Sequence, residues 1–297
     1  MELAELEIFR AVAHERSVTR AALALNRVQS NVTTRIQQLE DDLGTPLFLR
    51  QNKRMELTPD GQRFLVYAER ILALAEEARQ DLRQDLAQGS LRIGSMESSA
   101  ASRLPKPLIA FHSEFPRVKV ELSTGPTEAL VNCVLEHKLD CAVVAHPFDG
   151  PHQKVRWEEH DPELEGTYLF TEKLMLVAPL NYQRAKRKDA SCPITTVAGF
   201  KNGCTYRKCA EEWIASQTRT SGSPWSILEV SSYHAILACV VSGAAIGFLP
   251  QSVLNLYKEQ IPLQTSPLRP VHTYLVRRKG FATPAFRAFL DTVRAHS

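Results

Sequence analysis

Ser17-Val-Thr-Arg-Ala-Ala-Leu-Ala-Leu25 leads through Asn26-Arg-Val28 into Gln29-Ser-Asn-Val-Thr-Thr-Arg-Ile36. Leu39-Glu40, Leu43-Gly44, Leu47-Phe48 and Arg50 follow, and the run closes on Leu57-Thr58-Pro-Asp-Gly61. Ahead of it, Leu3, Leu6, Phe9 and Ala13 are spaced for one buried face of a first helix. Ser17 and Thr19 supply hydroxyls where a second helix must start. Ala21 and Ala22 are small enough to let another helix approach closely. A third helix is expected from about Val28 to Asp42, with Ile36, Leu39 and Leu43 inward. Phe48 to Leu57 reads as a hairpin whose turn, Asn52-Lys53-Arg54, carries two cations. Two short helices around a tight corner, a third helix and a basic hairpin fit a DNA major groove with a wing beside it.

Net charge adds little to that reading, because the chain carries only +3 and residues 1–58 balance eight Lys/Arg against eight Asp/Glu. Placement says more. Four arginines and no acid lie between Arg16 and Arg35, whereas Glu40-Asp41-Asp42 gathers at the far end of the third helix.

The order and spacing of these positions resemble the N-terminal domain of the LysR-type transcriptional regulators. The resemblance implies base contacts from Gln29, Ser30 and Thr33 at the exposed start of the third helix, with Asn31 and Thr34 as neighbours. It implies a phosphate contact from Arg35, and contacts from Lys53 and Arg54 to an adjacent minor groove or backbone. One position departs from the family. Val28 stands where Ser or Thr is usual, and a lost cap costs about 0.5–2 kcal/mol unless Asn26 replaces it. Arg27 in the corner adds a further cation for a phosphate.

Thr58-Pro59 begins a helix, with Thr as cap and Pro in its first turn. Nothing breaks the segment between Gln62 and Gln88, and Gly89 is expected to stop it. Phe64, Ala68, Ile71, Ala75, Ala78 and Leu82 form an a/d seam in it. It looks like the linker helix that dimerises members of this family. Beyond Ser90, short apolar strands alternate with helices. They include Leu91–Gly94, Val118–Leu122, Cys141–Ala145, Glu172–Pro179, Ala245–Pro250 and Val271–Arg277, with a last helix at Pro284–Ala295. Such alternation implies a mostly parallel α/β sheet.

The expected fold class is therefore α/β. It has an N-terminal winged helix-turn-helix (1–58), a long linker helix (59–89) and a two-lobed, periplasmic-binding-protein-like α/β effector domain (90–297). Lobe I takes about 90–165 and 267–297, and lobe II about 166–266. Residues 147–165, rich in His, Pro and acids, read as an irregular connection.

Four turns in the larger domain carry small hydroxyl or amide groups before a helix. They are Glu97-Ser98-Ser99, Thr124-Gly-Pro-Thr127, Asn202-Gly-Cys-Thr205 and Val230-Ser-Ser232. In paired α/β lobes such turns line the cleft at the strands' carboxyl ends. Plain capping explains any one of them. Four together, with the family layout, point to a small anionic effector held by Ser98, Ser99, Thr127, Cys204, Thr205 and Ser232, with Arg207 supplying a charged hydrogen bond. Cys204 at a helix start is also expected to have a lowered thiol pKa. Cys209 would serve as its resolving partner in a redox-sensing alternative, which the spacing of the two cysteines opposes.

The six cysteines show no zinc-ribbon spacing, and no cofactor or metal is expected. No apolar run approaches a membrane span, and the acidic start Met-Glu-Leu-Ala-Glu-Leu-Glu lacks a secretory pattern, so a cytoplasmic location is expected. Gly-x-Ser-x-Gly, His-Glu-x-x-His and phosphate-loop motifs are missing, which opposes an enzyme. A cytoplasmic solute-binding protein is the remaining rival, opposed by the N-terminal unit. The resemblance implies double-stranded promoter DNA, a small-molecule effector and the chain itself (homodimer or homotetramer) as partners, and allows RNA polymerase.

Overall fold

The N-terminal helix α1 (Leu3–Glu15) turns Leu6, Ile8, Phe9 and Val12 into a core that every other element of its unit helps to close. Those elements are α2 (Val18–Ala24), α3 (Gln29–Leu43), the hairpin β1 (Phe48–Gln51) and β2 (Arg54–Leu57), and α4 (Pro59–Asp81). The structure, a computed structural model, describes residues 1–51, 54–82, 87–146, 156–159, 161–182, 194–221, 224–257 and 262–296. The chain divides at residues 84/85 into two compact units.

In the first unit the Phe9 ring lies 5.3 Å from Phe48 and 5.2 Å from Phe64, centroid to centroid, which ties α1 to both the hairpin and α4. Ala21 and Ala22 are buried, so small side chains do sit at the helix crossing. From α3, Val32, Ile36 and Leu39 enter the core. Leu43, expected inward, is 37% exposed because the last turn has run past the core to its left-handed cap at Gly44 (φ 64°). Val28 occupies the N-cap of α3 without a side-chain bond, and Asn26 sits at φ 56° in the corner, so it does not replace the missing cap.

At the start of α4, the Thr58 hydroxyl accepts from Gly61 N–H and donates to the Pro46 carbonyl, both at 2.9 Å. A Cβ on Gly61 would lie 2.1 Å from the Leu47 carbonyl oxygen, so only glycine permits this packing of helix on strand. The helix was expected to reach Gln88 but ends at Asp81, and its 23 residues span about 34 Å. Gly89 opens a strand at φ 91° and does not act as a helix stop. The expected seam also divides. Phe64 and Ala68 pack inward with Leu72, whereas Tyr67, Ile71, Leu74 and Leu82 form an exposed apolar stripe.

The second unit is built on one eight-stranded sheet. Its first half contains β3 (Gly89–Ser95), α5 (Glu97–Ser102), α6 (Pro105–Glu114), β4 (Val118–Thr124), α7 (Thr127–Leu135) and β5 (Cys141–Ala145). After the long β6 (Leu164–Ala178) come β7 (Thr196–Gly199), α8 (Thr205–Ser221), β8 (Ser226–Glu229), α9 (Tyr233–Val241), β9 (Ile246–Pro250) and α10 (Gln251–Leu254). The long β10 (Gln264–Arg278) and α11 (Pro284–Ala295) complete it.

Strand order is β4-β3-β5-β10-β6-β9-β7-β8. The two outer trios are parallel within themselves, and β6 and β10 join them as antiparallel strands. Thr273–Arg277 of β10 pair with β5, and Leu174–Val177 of β6 pair with β9. Both strands therefore pass between the lobes a few residues beyond the expected boundaries at 165/166 and 266/267. The ladder simply continues through those points. Among the described residues no helix is long and apolar enough to cross a membrane.

Gly61→Ala should destabilise the first unit by about 1–3 kcal/mol, the usual cost of forcing an atom into a packed contact. Thermal unfolding of the full chain checks this, and an unchanged first transition would show that Leu47 can yield without cost.

Candidate DNA-reading face and ligand cleft

Burial of Val32, Ile36 and Leu39 fixes which side of α3 faces outward. Gln29, Ser30, Asn31 and Thr34 are exposed at its start, and Thr33 is half-buried with its hydroxyl donating to the Gln29 carbonyl at 3.1 Å. That bond still leaves the Thr33 oxygen free to accept. Beside them the Arg27 guanidinium lies 3.5 Å from the Asn31 amide oxygen.

Arg35 points elsewhere. Its Nη1 lies 3.4 Å from the buried Glu5 on α1 and 3.7 Å from Glu2 at the N-cap of that helix. The cation expected at a phosphate is instead a brace between α1 and α3. Arg54 is exposed at the start of β2, and Lys53 lies outside the described residues. Glu40, read from sequence only as part of an acidic end, accepts from Leu47 N–H at 2.7 Å and Phe48 N–H at 3.1 Å, which anchors the first hairpin strand.

In the second unit a cavity of about 260 Å³ opens at the carboxyl ends of β3, β4, β7 and β8. One lobe contributes Met96, Glu97 and Thr124–Pro126, and the other Phe200, Lys201, Cys204, Tyr206, Val230, Ser231 and Tyr233. This is the ligand position that a doubly wound arrangement of strands creates. The Glu97 carboxylate crosses from α5 to accept from Tyr233 N–H, at 3.5 Å, at the first residue of α9. Burial raises the Glu97 pKa above the usual carboxylate range, with the Tyr233 N–H opposing the shift.

The expected effector residues do not converge on this cavity. Cys204 lines it. Ser98 and Ser99 are each 1% exposed, behind it. Thr205 Oγ1 lies 3.0 Å from both the Thr127 hydroxyl and the Ala145 carbonyl, so these two buried threonines pin α8 to α7 and β5. Ser232 caps α9 by accepting from Ala235 N–H at 3.2 Å. Arg207 is held by Glu211 at 2.7 Å, Glu229 at 3.4 Å and the Phe200 carbonyl at 3.0 Å, which leaves little of its charge for a ligand. Thr127, Thr205 and Arg207 instead line a larger neighbouring cavity of about 690 Å³, with Cys204 between the two.

The family model for the bacterial regulatory helix-turn-helix protein, lysR family, matches residues 3–62. That for the LysR substrate binding domain matches residues 84–297. The chain belongs to the LysR family of transcriptional regulators.

As a LysR-type, DNA-binding regulator it is similar along its whole length to other bacterial transcriptional regulators. It is 34% identical to the transcriptional regulator GltR of Bacillus subtilis (strain 168), covering 100% of this chain and 97% of that one. It is 33% identical to the regulator SoxR of Arthrobacter sp. (strain TE1826), covering 99% and 97%. Among solved structures, full-length CbnR in complex with its target DNA matches with a TM-score of 0.65 at 23% identity, covering 100% of each chain. A variant of full-length OxyR from Pseudomonas aeruginosa matches with a TM-score of 0.69 at 21% identity, covering 100% and 99%. At these identities the structural likeness concerns the fold.

Sequence reading missed two features of this regulator. Val28, treated only as a lost cap, is 68% exposed at the head of α3, beside the exposed Gln29 and Ser30. Glu97, Tyr206 and Tyr233 went unremarked because only hydroxyls and amides were sought in the strand-to-helix turns. The glutamate stood in the quoted Glu97-Ser98-Ser99 turn as the available signal.

Cys204 also departs from expectation. Burial raises its thiol pKa, and the opposing N–H groups of Arg207 and Tyr206 do not cancel that effect. Burial likewise pushes Cys209 up to about 11. A thiol with that pKa is about one part in ten thousand thiolate at pH 7, and the thiolate is the reactive form. Iodoacetamide at pH 7 should therefore modify Cys209 about a hundredfold more slowly than a small free thiol, with the rate climbing as pH rises toward 11. Peptide mass spectrometry reads this, and rapid labelling of Cys204 and Cys209 at neutral pH would restore the redox alternative.

Proposed function

We propose that this regulator reads an operator with Gln29, Ser30 and Thr33, flanked by Asn31, Thr34 and Val28, while Arg54 and Lys53 of the hairpin hold the DNA backbone or minor groove. The observation that carries this reading is the segregation on α3, whose apolar residues are buried while its first polar residues stand exposed. Arg35 drops out of the contact set because its carboxylate partners already hold it. The exposed stripe of Tyr67, Ile71, Leu74 and Leu82 on α4 is the dimer seam, and two such dimers form a tetramer.

A small carboxylate-bearing effector enters the cavity at the strand ends and shifts the balance between arrangements of the DNA-reading pairs. The protein acts in the cytoplasm, where its promoter lies. Binding rather than catalysis is its role. The raised thiol pKa values of half-buried Cys204 and buried Cys209 give the redox alternative no support.

Gln29→Ala should cost about 1–3 kcal/mol on the specific operator and leave scrambled DNA nearly unaffected. Arg54→Ala should weaken both equally and flatten the salt dependence. Electrophoretic titrations at several salt concentrations separate these outcomes, and equal losses on both DNAs for Gln29→Ala would reject the base-reading assignment. A charge in the seam should dissociate the assembly, so Leu74→Glu is expected to sediment as a smaller species than the parent. An unchanged sedimentation coefficient would move the interface elsewhere.

A further inference from the structure

The cavity at the strand ends has an unusual polar inventory for a site expected to take an anion. At the start of α9, where the unpaired N–H groups would welcome a ligand carboxylate, the position is already filled by Glu97 of the opposite lobe. Tyr233 N–H is the only hydrogen-bond partner of that carboxylate among the described residues, and no cation lies within ion-pair distance of it there. His234 and Tyr257 approach it from the α9 and α10 side. A half-buried carboxylate with one N–H donor and no ion-pair partner is a place where a cation can dock.

The rest of the inner wall suits a cation. Phe200, Tyr206 and Tyr233 line the cavity around Glu97, and the Phe200 and Tyr233 rings pack edge to face at 4.8 Å. Aromatic rings beside a carboxylate are how proteins recognise ammonium groups. The Ser98 hydroxyl, buried behind this wall, lies within reach of the Tyr206 and Tyr233 hydroxyls and can pair with them. An ammonium group supplies three donors, and on the cavity wall the Glu97 carboxylate is the charged acceptor for them. At the mouth the balance reverses, because Lys201 is exposed there with the hydroxyls of Thr124 and Ser231.

We infer that the cavity takes a small zwitterionic amino-carboxylate, its ammonium seated on Glu97 among the aromatic rings and its carboxylate at the Lys201 mouth. This rests on the cavity being the effector site. Glu97 is then the residue that separates an amino acid from the hydroxy or keto acid of the same carbon skeleton. About 260 Å³ admits a molecule of that size.

The test uses the full-length protein and matched probes, the common L-amino acids against the 2-hydroxy acids of the same skeleton, read by thermal shift and titration calorimetry. At least one amino acid should raise the Tm, and its hydroxy acid should bind about tenfold to a hundredfold more weakly. Glu97→Gln, which keeps the shape and removes the charge, should lose the amino acid by a similar factor. Ser231→Trp, which fills the mouth, should abolish binding. Equal binding of hydroxy acids, full binding by Glu97→Gln, or silence across the panel overturns the ammonium assignment. The cavity reading fails separately, if a probe that binds the parent binds Ser231→Trp equally well.

Discussion

The antiparallel pairing of Gln264–Arg278 with Leu164–Ala178 is the constraint on which the ligand-binding unit depends. Each strand is 15 residues long, and each belongs to both lobes. Because the same two strands run through both halves, the parallel trios β4-β3-β5 and β9-β7-β8 are held at opposite ends of one ladder with their carboxyl ends facing a common space. The register slips twice, between Pro267 and Arg269 and between Thr273 and Tyr274. Such irregularities bend a strand locally. They fall in the stretch where the strands leave one lobe for the other. The cavity is a consequence of that ladder, and side chains such as Glu97 are carried to it on turns that the ladder brings together.

A similar economy governs the DNA-reading unit. The α3 helix presents polar side chains outward only because Val32, Ile36 and Leu39 are fixed in the core. Glu5 and Arg35 brace the helix against α1, and Glu40 holds the hairpin by two backbone N–H groups. Charged residues that look available for DNA in the sequence are thus partly structural. The proposed reading surface consists of small polar side chains, one exposed valine and the hairpin cation Arg54.

Much of this was legible beforehand where a periodic apolar pattern met a clear boundary. Cys141–Ala145 and Pro284–Ala295 fall where they were expected, because an apolar run and a Thr-Pro start leave little choice. Both long strands were read too short. Their outer stretches, such as the exposed Gln264-Thr-Ser-Pro and the half-buried Glu165-Gly-Thr, are polar, so they carry no strand pattern, and only pairing with each other makes them strands. The seam of α4 was found but its inward and outward rows were merged, since a one-dimensional pattern does not say which apolar row meets α1 and which remains open. The candidate effector site was the least legible part. Thr127 and Thr205 have the same residue type whether they hold a ligand or hold each other, and their hydroxyls are spent on packing. A glutamate that crosses between lobes over 136 positions of sequence leaves no local signature.

A DNA-binding unit and a substrate-binding-type unit share one chain in this regulator, and ligand control has meaning only if the first recognises specific DNA. Sequencing the genomic fragments that the purified full-length chain retains at physiological salt tests it most directly. The prediction is a shared sequence with two-fold symmetry, since paired reading helices place their half-sites about one helical turn, or a multiple of it, apart. Retention of DNA with no enriched sequence, or no retention, would contradict the account.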